Sequence, residues 1–584
     1  MSTPLPPSWP HCGHGATPAT DPIGCRGIHV PGHTACLAHL PDPDRIAYLT
    51  GLTPGANIDH RGTPFTEPLL EALLDALRNP TTRELHFGAA GFSEAQFSGT
   101  ARFNRARLSR ARFDGAQFSG PAWFGGAQLS DARFDGAQFS GDAWFARAQF
   151  SVDAQFNGAH FSGTARFDRA QFAGTARFDE AHFSGDARFD RARFCGDARF
   201  EGARLDGVSV LGPLVCARQV VLSRTVFGLP VTLEIAAQEL ECERTRWEST
   251  ATVRVRYAAV DLSHAVLSAP VAVIAHPTPF TSGSLPVLED LLTGSDRVRV
   301  ASVQGVDAAH LVLTDTDLSD CLFSGAFHLD QIRLEGRTTF APTPTGWHRR
   351  GIRPVRFTRR RTLAEEHHWR AHTDRLPVPP PSHTAAPRQW RTGPHPIDPA
   401  RIPDPEDVAA LYRQLRKAFE DGKNEPGAAD FYYGECEMRR HDLTGTPKSE
   451  RRLLWGYWLL SGYGLRASRA LTWLLAAMSL TVLLLMGIGL PSHDPDPATT
   501  GTLHGSSISL NTNTPDPALH GGWQKRMTWT RTEKATRVAI NSVIFRSSGQ
   551  NLTTTGTYIE MTSRLLEPTL LALGLLAIRG RIKR

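Results

Sequence analysis

Between Phe87 and Leu205 a phenylalanine or leucine returns every five or six residues, 23 times in succession, and all but the first have an alanine two places before them. A period of five matches neither the 3.6 residues of a helix nor the two-residue alternation of a strand. It suits a chain that turns a corner every five residues and points one large side chain inward per side, which is the signature of a solenoid. The six-residue steps fix the number of sides. Those at Phe97–Phe103, Phe118–Phe124, Phe139–Phe145, Phe161–Phe167 and Phe183–Phe189 recur after 21, 21, 22 and 22 residues, and a second set at Phe150–Phe156, Phe172–Phe178 and Phe194–Phe200 falls midway. One extra residue per four units, always at the same corner and later also at the opposite one, is the arithmetic of a four-sided coil.

The spacing therefore predicts an interior ladder of Phe103, Phe124, Phe145, Phe167 and Phe189, with Ala101, Ala122, Ala143, Ala165 and Ala187 as a second ladder. Coils stacked at about 4.8 Å give roughly six turns and a rod on the order of 30 Å for this segment. Gly99, Gly120, Gly141, Gly163 and Gly185 fall at a corner, where backbone freedom is useful. Units such as Ala-Arg-Phe-Asp-Gly and Ala-Gln-Phe-Ser-Gly resemble the Ala-(Asp/Asn)-Leu-X-X repeat of the pentapeptide-repeat proteins. That resemblance implies a right-handed quadrilateral β-helix. Some members of the family mimic DNA with an acidic rod, but here residues 87–205 hold 15 Arg against 13 Asp plus Glu, a balance of +2, so nucleic-acid mimicry is not expected.

After Leu205 the repeat decays. Thr252–Tyr257 alternates like a strand, and five-residue spacing returns near Ala258 and Thr314, which predicts an irregular β-helix over residues 206–340. Glu67–Arg78 reads as a helical N-terminal cap within residues 65–86. Residues 341–403 read as a connector. It holds a basic run (Arg349, Arg350, Arg353, Arg356 and Arg359–Arg361) taken as a solvated face or a surface for anionic lipid, a short helix at Thr362–Ala371, and a proline-rich stretch at Pro377–Pro381. Asp404–Gly422 and Ala428–Arg440 have helical spacing and predict a hairpin within residues 404–450, turned by Asn424–Gly427, with Phe431, Tyr432 and Tyr433 as packing residues. Glu435 and Glu437 lie near Arg439 and Arg440, which would neutralise them.

Hydropathy then changes character. Residues 451–490 begin with an aromatic and arginine-rich juxtamembrane segment. Ala470–Leu490 follows without a charge, enough for one membrane span. A polar loop over residues 491–556 leads to a second candidate span at 557–579, read alternatively as a buried core helix, which contains the intramembrane acid Glu567, and a basic tail at 580–584. Arginines before the first span and after the second predict a cytoplasmic location for both ends and most of the chain. The part from Leu411 onward, carried by Leu411–Phe419, Asp430–Glu435 and Ser461–Arg466, resembles two-span, potassium-channel-like modules fused to pentapeptide repeats. The resemblance places a pore helix at Val538–Phe545 and a filter at Thr553–Tyr558, although Thr-Thr-Thr-Gly-Thr-Tyr lacks the second glycine and the aspartate of a potassium filter. The Ala- and Arg-rich composition also resembles pentapeptide-repeat membrane proteins of high-GC actinobacteria.

The 584 residues carry a formal net charge of +6. Met1 is followed by Pro-rich polar sequence without a signal-peptide pattern. Eight scattered cysteines do not form a secreted disulfide framework, and reduced cytoplasmic thiols are expected. The one metal-like constellation is in the head, residues 1–64. Cys12, His14, Cys25, His29, His33, Cys36 and His39 crowd into 28 residues, and Cys36-Leu-Ala-His39 has a ligand gap that suits a zinc chelate. Cys12, Cys25, Cys36 and His39 are the candidate ligands of a structural zinc. No nucleophile–base pair, phosphate loop or paired catalytic carboxylates stand out, so no catalysis is expected. The sequence reading is a membrane-anchored scaffold that meets a protein partner and membrane lipid, with no nucleic acid and with self-association open. A degenerate channel or mechanosensor regulated by the β-helix is the alternative.

Overall fold

A computed structural model describes residues 6–17, 21–345, 347–350, 353–375, 389–391, 393, 403–492, 496–504, 506–513, 515–520, 522–544 and 549–582. The chain divides into two compact units, residues 1–403 with 411–424, and residues 404–410 with 425–584.

The first unit is a β-solenoid of about 12 turns. Two-residue strands stack in parallel on four faces, with one residue inward and its neighbour outward. One face runs Phe65–Phe97–Phe118–Phe139–Phe161–Phe183–Leu205–Phe227–Trp247–Leu267. The opposite one runs Leu108–Leu129–Phe150–Phe172–Phe194–Cys216. The alanine faces are Ala101–Ala122–Ala143–Ala165–Ala187 and Ala132–Ala154–Ala176–Ala198. Phe103, Phe124, Phe145, Phe167 and Phe189 are fully buried and stack ring on ring at 4.9–5.0 Å. Neighbouring ladders meet edge to face, as Phe134 and Phe145 do at 5.4 Å, a geometry aromatic quadrupoles favour.

The corner glycines act differently from the sequence reading. Gly120, Gly141, Gly163 and Gly185 do not have positive φ. A Cβ on Gly163 would lie 2.7 Å from the carbonyl carbon of Gly141, and one on Gly185 2.3 Å from the oxygen of Gly163. These positions need glycine because successive coils approach too closely for a side chain, not because the backbone needs a left-handed turn.

The solenoid begins before the phenylalanine series. Ile58–Asp59 pairs with Ala90–Gly91, and Pro64–Phe65 with Gln96–Phe97, so the first coil comes from residues assigned to head and cap. Helix α1 (Asp42–Thr50) precedes it and α2 (Glu67–Ala76) follows. The coil continues to Arg333–Glu335. An insertion after Val271–Ala275 lays a hairpin, Thr281–Ser282 with Leu285–Pro286, against the rod. Phe280, Val287 and Leu292 pack there on Val215 and Ala236, and buried Arg256 pairs with Glu289 at 3.0 Å.

Much of what the sequence suggests is a linker is an ordered end to the coil. Ala341–Pro342 pairs with Arg361–Thr362, and α3 spans Ala364–Thr373. Arg360, read from sequence as part of a solvated basic run, is buried. It donates to both oxygens of Glu366 at 2.6 Å, and Arg370 donates to the same carboxylate at 2.7 Å. Tyr412 Oη completes the cluster at 2.6 Å from Glu366. Pro377–Pro381 and the side chains of Arg349, Arg350, Arg353 and Arg356 lie outside the described residues.

Helix α4 (Pro405–Asp421) contains the division between the units. The second unit then holds α5 (Glu425–His441), α6 (Lys448–Ser461) and α7 (Ala467–Leu484), the last extended by a wide turn at Leu485–Gly489. Glu425–Gly427, expected in a turn, forms the first turn of α5, where a proline needs no amide partner. Tyr433 packs with Cys436, Leu454 and Tyr463, that is, against α6. Glu437 is bound by Arg440 at 2.6 Å and Tyr463 at 3.0 Å, whereas Arg439 turns to Glu450. The stretch read as a polar loop contains a hairpin (Ala498–His504 with Ser507–Asn513) and two helices, α8 (Trp523–Arg526) and α9 (Trp529–Val543). Helix α10 (Thr554–Ile582) closes the chain.

Ala467–Gly489 and Thr554–Arg579 are long and apolar enough to cross a membrane. Both expose large apolar side chains, among them Leu475, Leu480 and Leu483 of α7. Along α10 the buried positions are Gly556, Glu560, Ser563, Glu567, Pro568, Leu570, Gly574 and Ala577, while Leu565 is 74% and Leu576 59% exposed. Glu567 is fully buried and accepts from Thr481 Oγ1 at 2.8 Å, and Ser563 donates to Ser542 of α9 at 2.9 Å.

Candidate metal centre

The head places four potential ligands within 4.8 Å of one another: Cys12, Cys25, Cys36 and His39. Two short antiparallel segments bring the first pair together. Cys12 N–H donates to Gly27 O at 2.8 Å, Gly13 to Cys25 O at 2.9 Å and Cys25 to His14 O at 3.0 Å. Gly13 and Gly24 turn the chain between them with φ of +62° and +63°, where a side chain would be strained. Cys36 begins a tight turn that returns His39 N–H to Cys36 O at 3.0 Å and sets the sulfur and imidazole on the same side.

The separations can be compared with a tetrahedron. Zn–S of about 2.3 Å and Zn–N of about 2.0–2.1 Å make S···S edges of about 3.8 Å and S···N edges of about 3.5 Å. The structure has Cys25 Sγ–Cys36 Sγ at 3.7 Å, Cys36 Sγ–His39 Nδ1 at 3.4 Å and Cys12 Sγ–His39 Nδ1 at 3.6 Å. The donor set fits zinc, and three sulfurs and a nitrogen leave no open position for substrate. The Cys36 thiol donates to the Cys25 sulfur and, helped by the Gly27 amide at 3.4 Å, draws the Cys25 thiol down to about 5. The same bond, and after it burial, push Cys36 up.

Two further residues support the cluster, of which Gly27 was not apparent from sequence. A Cβ on Gly27 would lie 2.6 Å from Cys36 Cβ and 2.8 Å from its sulfur, so only glycine lets the segments close over the cluster. His14 stacks on His39 with ring centroids 4.1 Å apart. His29 is drawn elsewhere, to His11 O at 2.8 Å, and His33 lies 3.9 Å from Asp44. All eight cysteines are unbridged.

The channel-like features resolve into local structure. Thr553 stands before α10, donates from Oγ1 to Ile488 O at 2.9 Å, and accepts from Gly556 N–H at 3.1 Å. Thr554–Tyr558 is helical, so the filter-like residues cap and begin a helix instead of extending their carbonyls into a lumen. A Cβ on Gly556 would lie 2.2 Å from Gly489 O, which identifies that glycine with a close helix crossing.

The family model for pentapeptide repeats (9 copies) matches residues 86–128, 124–171 and 167–211. No curated protein and no solved structure matches the chain. The matched stretch coincides with the most regular coils, and residues 86–211 are a pentapeptide-repeat segment within a longer solenoid.

Proposed function

We propose that the protein is a membrane-anchored scaffold whose solenoid offers a rigid, non-catalytic interaction surface at the cytoplasmic face. The observation that carries the membrane reading is the polarity of α7 and α10. Only 28% of the first apolar window and 33% of the second is buried, and the buried face of α10 includes the acids Glu560 and Glu567. In water that arrangement exposes leucines and hides carboxylates. In lipid it places leucines against acyl chains and keeps the Thr481–Glu567 and Ser563–Ser542 hydrogen bonds inside the bundle. Arg451, Arg452, Arg466 and Arg469 before the first span, and Arg579 and Arg581 at the end of the second, favour a cytoplasmic location for both flanks. The scaffold reading rests on the repeat segment, a solenoid with side-chain-filled interior and mixed-charge faces.

The head is proposed to hold one structural zinc through Cys12, Cys25, Cys36 and His39. Its chemistry there is to staple a loop-rich segment to the first coil. Metal analysis of the purified full chain should give one zinc per chain, and Cys36→Ala should give none while the membrane fraction still contains the protein. Zinc content unchanged by that substitution would remove the assignment.

The buried carboxyl of Glu567 also supports a second reading, a degenerate ion pathway. Planar-bilayer recordings of the full chain, with insertion verified independently, separate the two. The scaffold reading expects silence; reproducible unitary currents would replace it.

A further inference from the structure

The turns of the solenoid stack along two opposite edges. At each of these corners the chain makes a turn closed by a bond such as Ala106 N–H to Phe103 O, and the third residue has a positive φ of the kind a type II turn reserves for glycine. On one edge that position is Glu94, Gly115, Gly136, Gly158, Glu180, Gly202, Arg224, Arg244 and His264. On the opposite edge it is Arg105, Gly126, Arg147, Arg169 and Arg191. Three successive coils therefore hold an arginine in a conformation that glycine adopts without strain. Backbone strain retained at neighbouring positions is an observation from which function is reasonably inferred.

The three corners stack directly. Arg147 N–H donates to Asp168 O, Arg169 to Asp190 O and Arg191 to Pro213 O, at 2.7–2.8 Å, so their side chains leave the rod about one strand spacing, 4.8 Å, apart. They border a cleft of about 400 Å³ whose remaining walls are Arg166, Asp168, Asp190 and Ser282 of the inserted hairpin. The insertion is fastened there by the rod itself: Arg191 donates to Ser282 O at 2.8 Å and Leu285 O at 3.0 Å, and Arg193 pairs with Asp290 at 2.7 Å. Asp168 is occupied by Arg166 at 2.9 Å. Among the described residues, the Arg147 and Arg169 side chains have neither an ion pair nor a hydrogen bond, and both are exposed at the mouth.

We infer that this cleft binds a polyvalent phosphate group, held by Arg147 and Arg169 and bounded by Arg191 and the inserted hairpin. Four guanidiniums face two carboxylates there, a formal balance of +2. Two free guanidiniums one coil apart suit two linked phosphoryl groups, because each planar fork can donate to a pair of oxygens. Burial, then the hydrogen bond and charge of Asp168, raise the Asp190 carboxyl to about 6, so part of the opposing negative charge is lost in mildly acidic solution. Asp186, Arg188 and Arg166 are the other charged groups facing that pair.

Isothermal titration of the detergent-solubilised full chain with inorganic pyrophosphate, in phosphate-free buffer, tests this. Saturable binding should weaken at least tenfold in Arg147→Gly/Arg169→Gly and stay within twofold in Arg110→Ala, a corner arginine away from the cleft. Glycine suits the backbone at both sites, so the double variant should melt no lower than the native protein. A nucleoside diphosphate titrated in parallel identifies the source: tighter binding than pyrophosphate points to a nucleotide, equal binding to free diphosphate. Absence of saturable binding, or undiminished binding by the double variant, would overturn the inference. Neither result bears on membrane insertion.

Discussion

A single phenylalanine in the lumen contacts rings above, below and beside it, and its position in the ladder leaves no room for substitutes. Phe145 stacks on Phe124 at 4.9 Å and Phe167 at 5.0 Å, and meets Phe134 and Phe156 edge to face at 5.4 Å. Phe145→Ala should therefore cost about 3–5 kcal/mol, the range for emptying a buried aromatic site. Gly163→Ala is a smaller change by volume yet should also destabilise, because its Cβ meets backbone that cannot rotate away. Hydrogen exchange of amides in the two adjoining coils would register both effects, and native-like protection in either variant would refute the packing account. The inward phenylalanines were legible because a five-residue period has few structural explanations. The reason for the corner glycines was not, since sequence cannot distinguish a left-handed residue from one pressed against the next coil. The four zinc-ligand candidates were legible from residue type and spacing, whereas Gly27 acts through a contact with Cys36 that no spacing rule reveals.

At the scale of elements, the end of the solenoid is held by acids on α3 whose titrations oppose one another. Burial raises the Glu365 carboxyl to about 7 while it accepts from Phe323 and Ser324 amides. Burial also pushes Glu366 up, but the guanidiniums of Arg360 and Arg370 hold it well below the usual carboxylate range. Burial lowers His367 to about 3. A carboxyl whose pKa rises on folding binds more protons when folded, so the Glu365 contribution improves as pH falls from about 7 to 4.5. The His367 contribution declines below about 6.5, and that of Glu366 declines only below about 4.5. Glu365 and His367 should nearly cancel between pH 4.5 and 6.5. Relative to Glu365→Gln, the native chain should gain up to about 1.4 kcal/mol per pH unit on acidification through that window. A melting-temperature difference between the two proteins that is flat with pH would contradict this. The basic run looked solvated because sequence shows Arg360 without showing that Glu366 and Tyr412 converge on it from other elements.

The second unit is held by close contacts between its helices. Gly556 crosses Gly489 at backbone distance, so Gly556→Val should separate α10 from the turn after α7 and lower the yield of folded protein from membranes. Recovery of that variant at native yield and melting temperature would argue against a tight crossing. The two long apolar helices were legible from hydropathy. The structured hairpin and α9 between them were not, because that stretch is polar and its helix has only a modest apolar face buried against Leu485, Met486 and Leu490.

For the whole molecule, the account rests on one chain combining a water-facing solenoid with helices that expose leucine and bury acid. Alkaline carbonate extraction of membranes from cells making the full chain tests this most directly. The account predicts that the protein stays in the membrane pellet after extraction and is released only by detergent. Quantitative release into the carbonate supernatant as folded, monodisperse protein would mean that α7 and α10 do not span a bilayer, and the membrane-anchored scaffold would be abandoned.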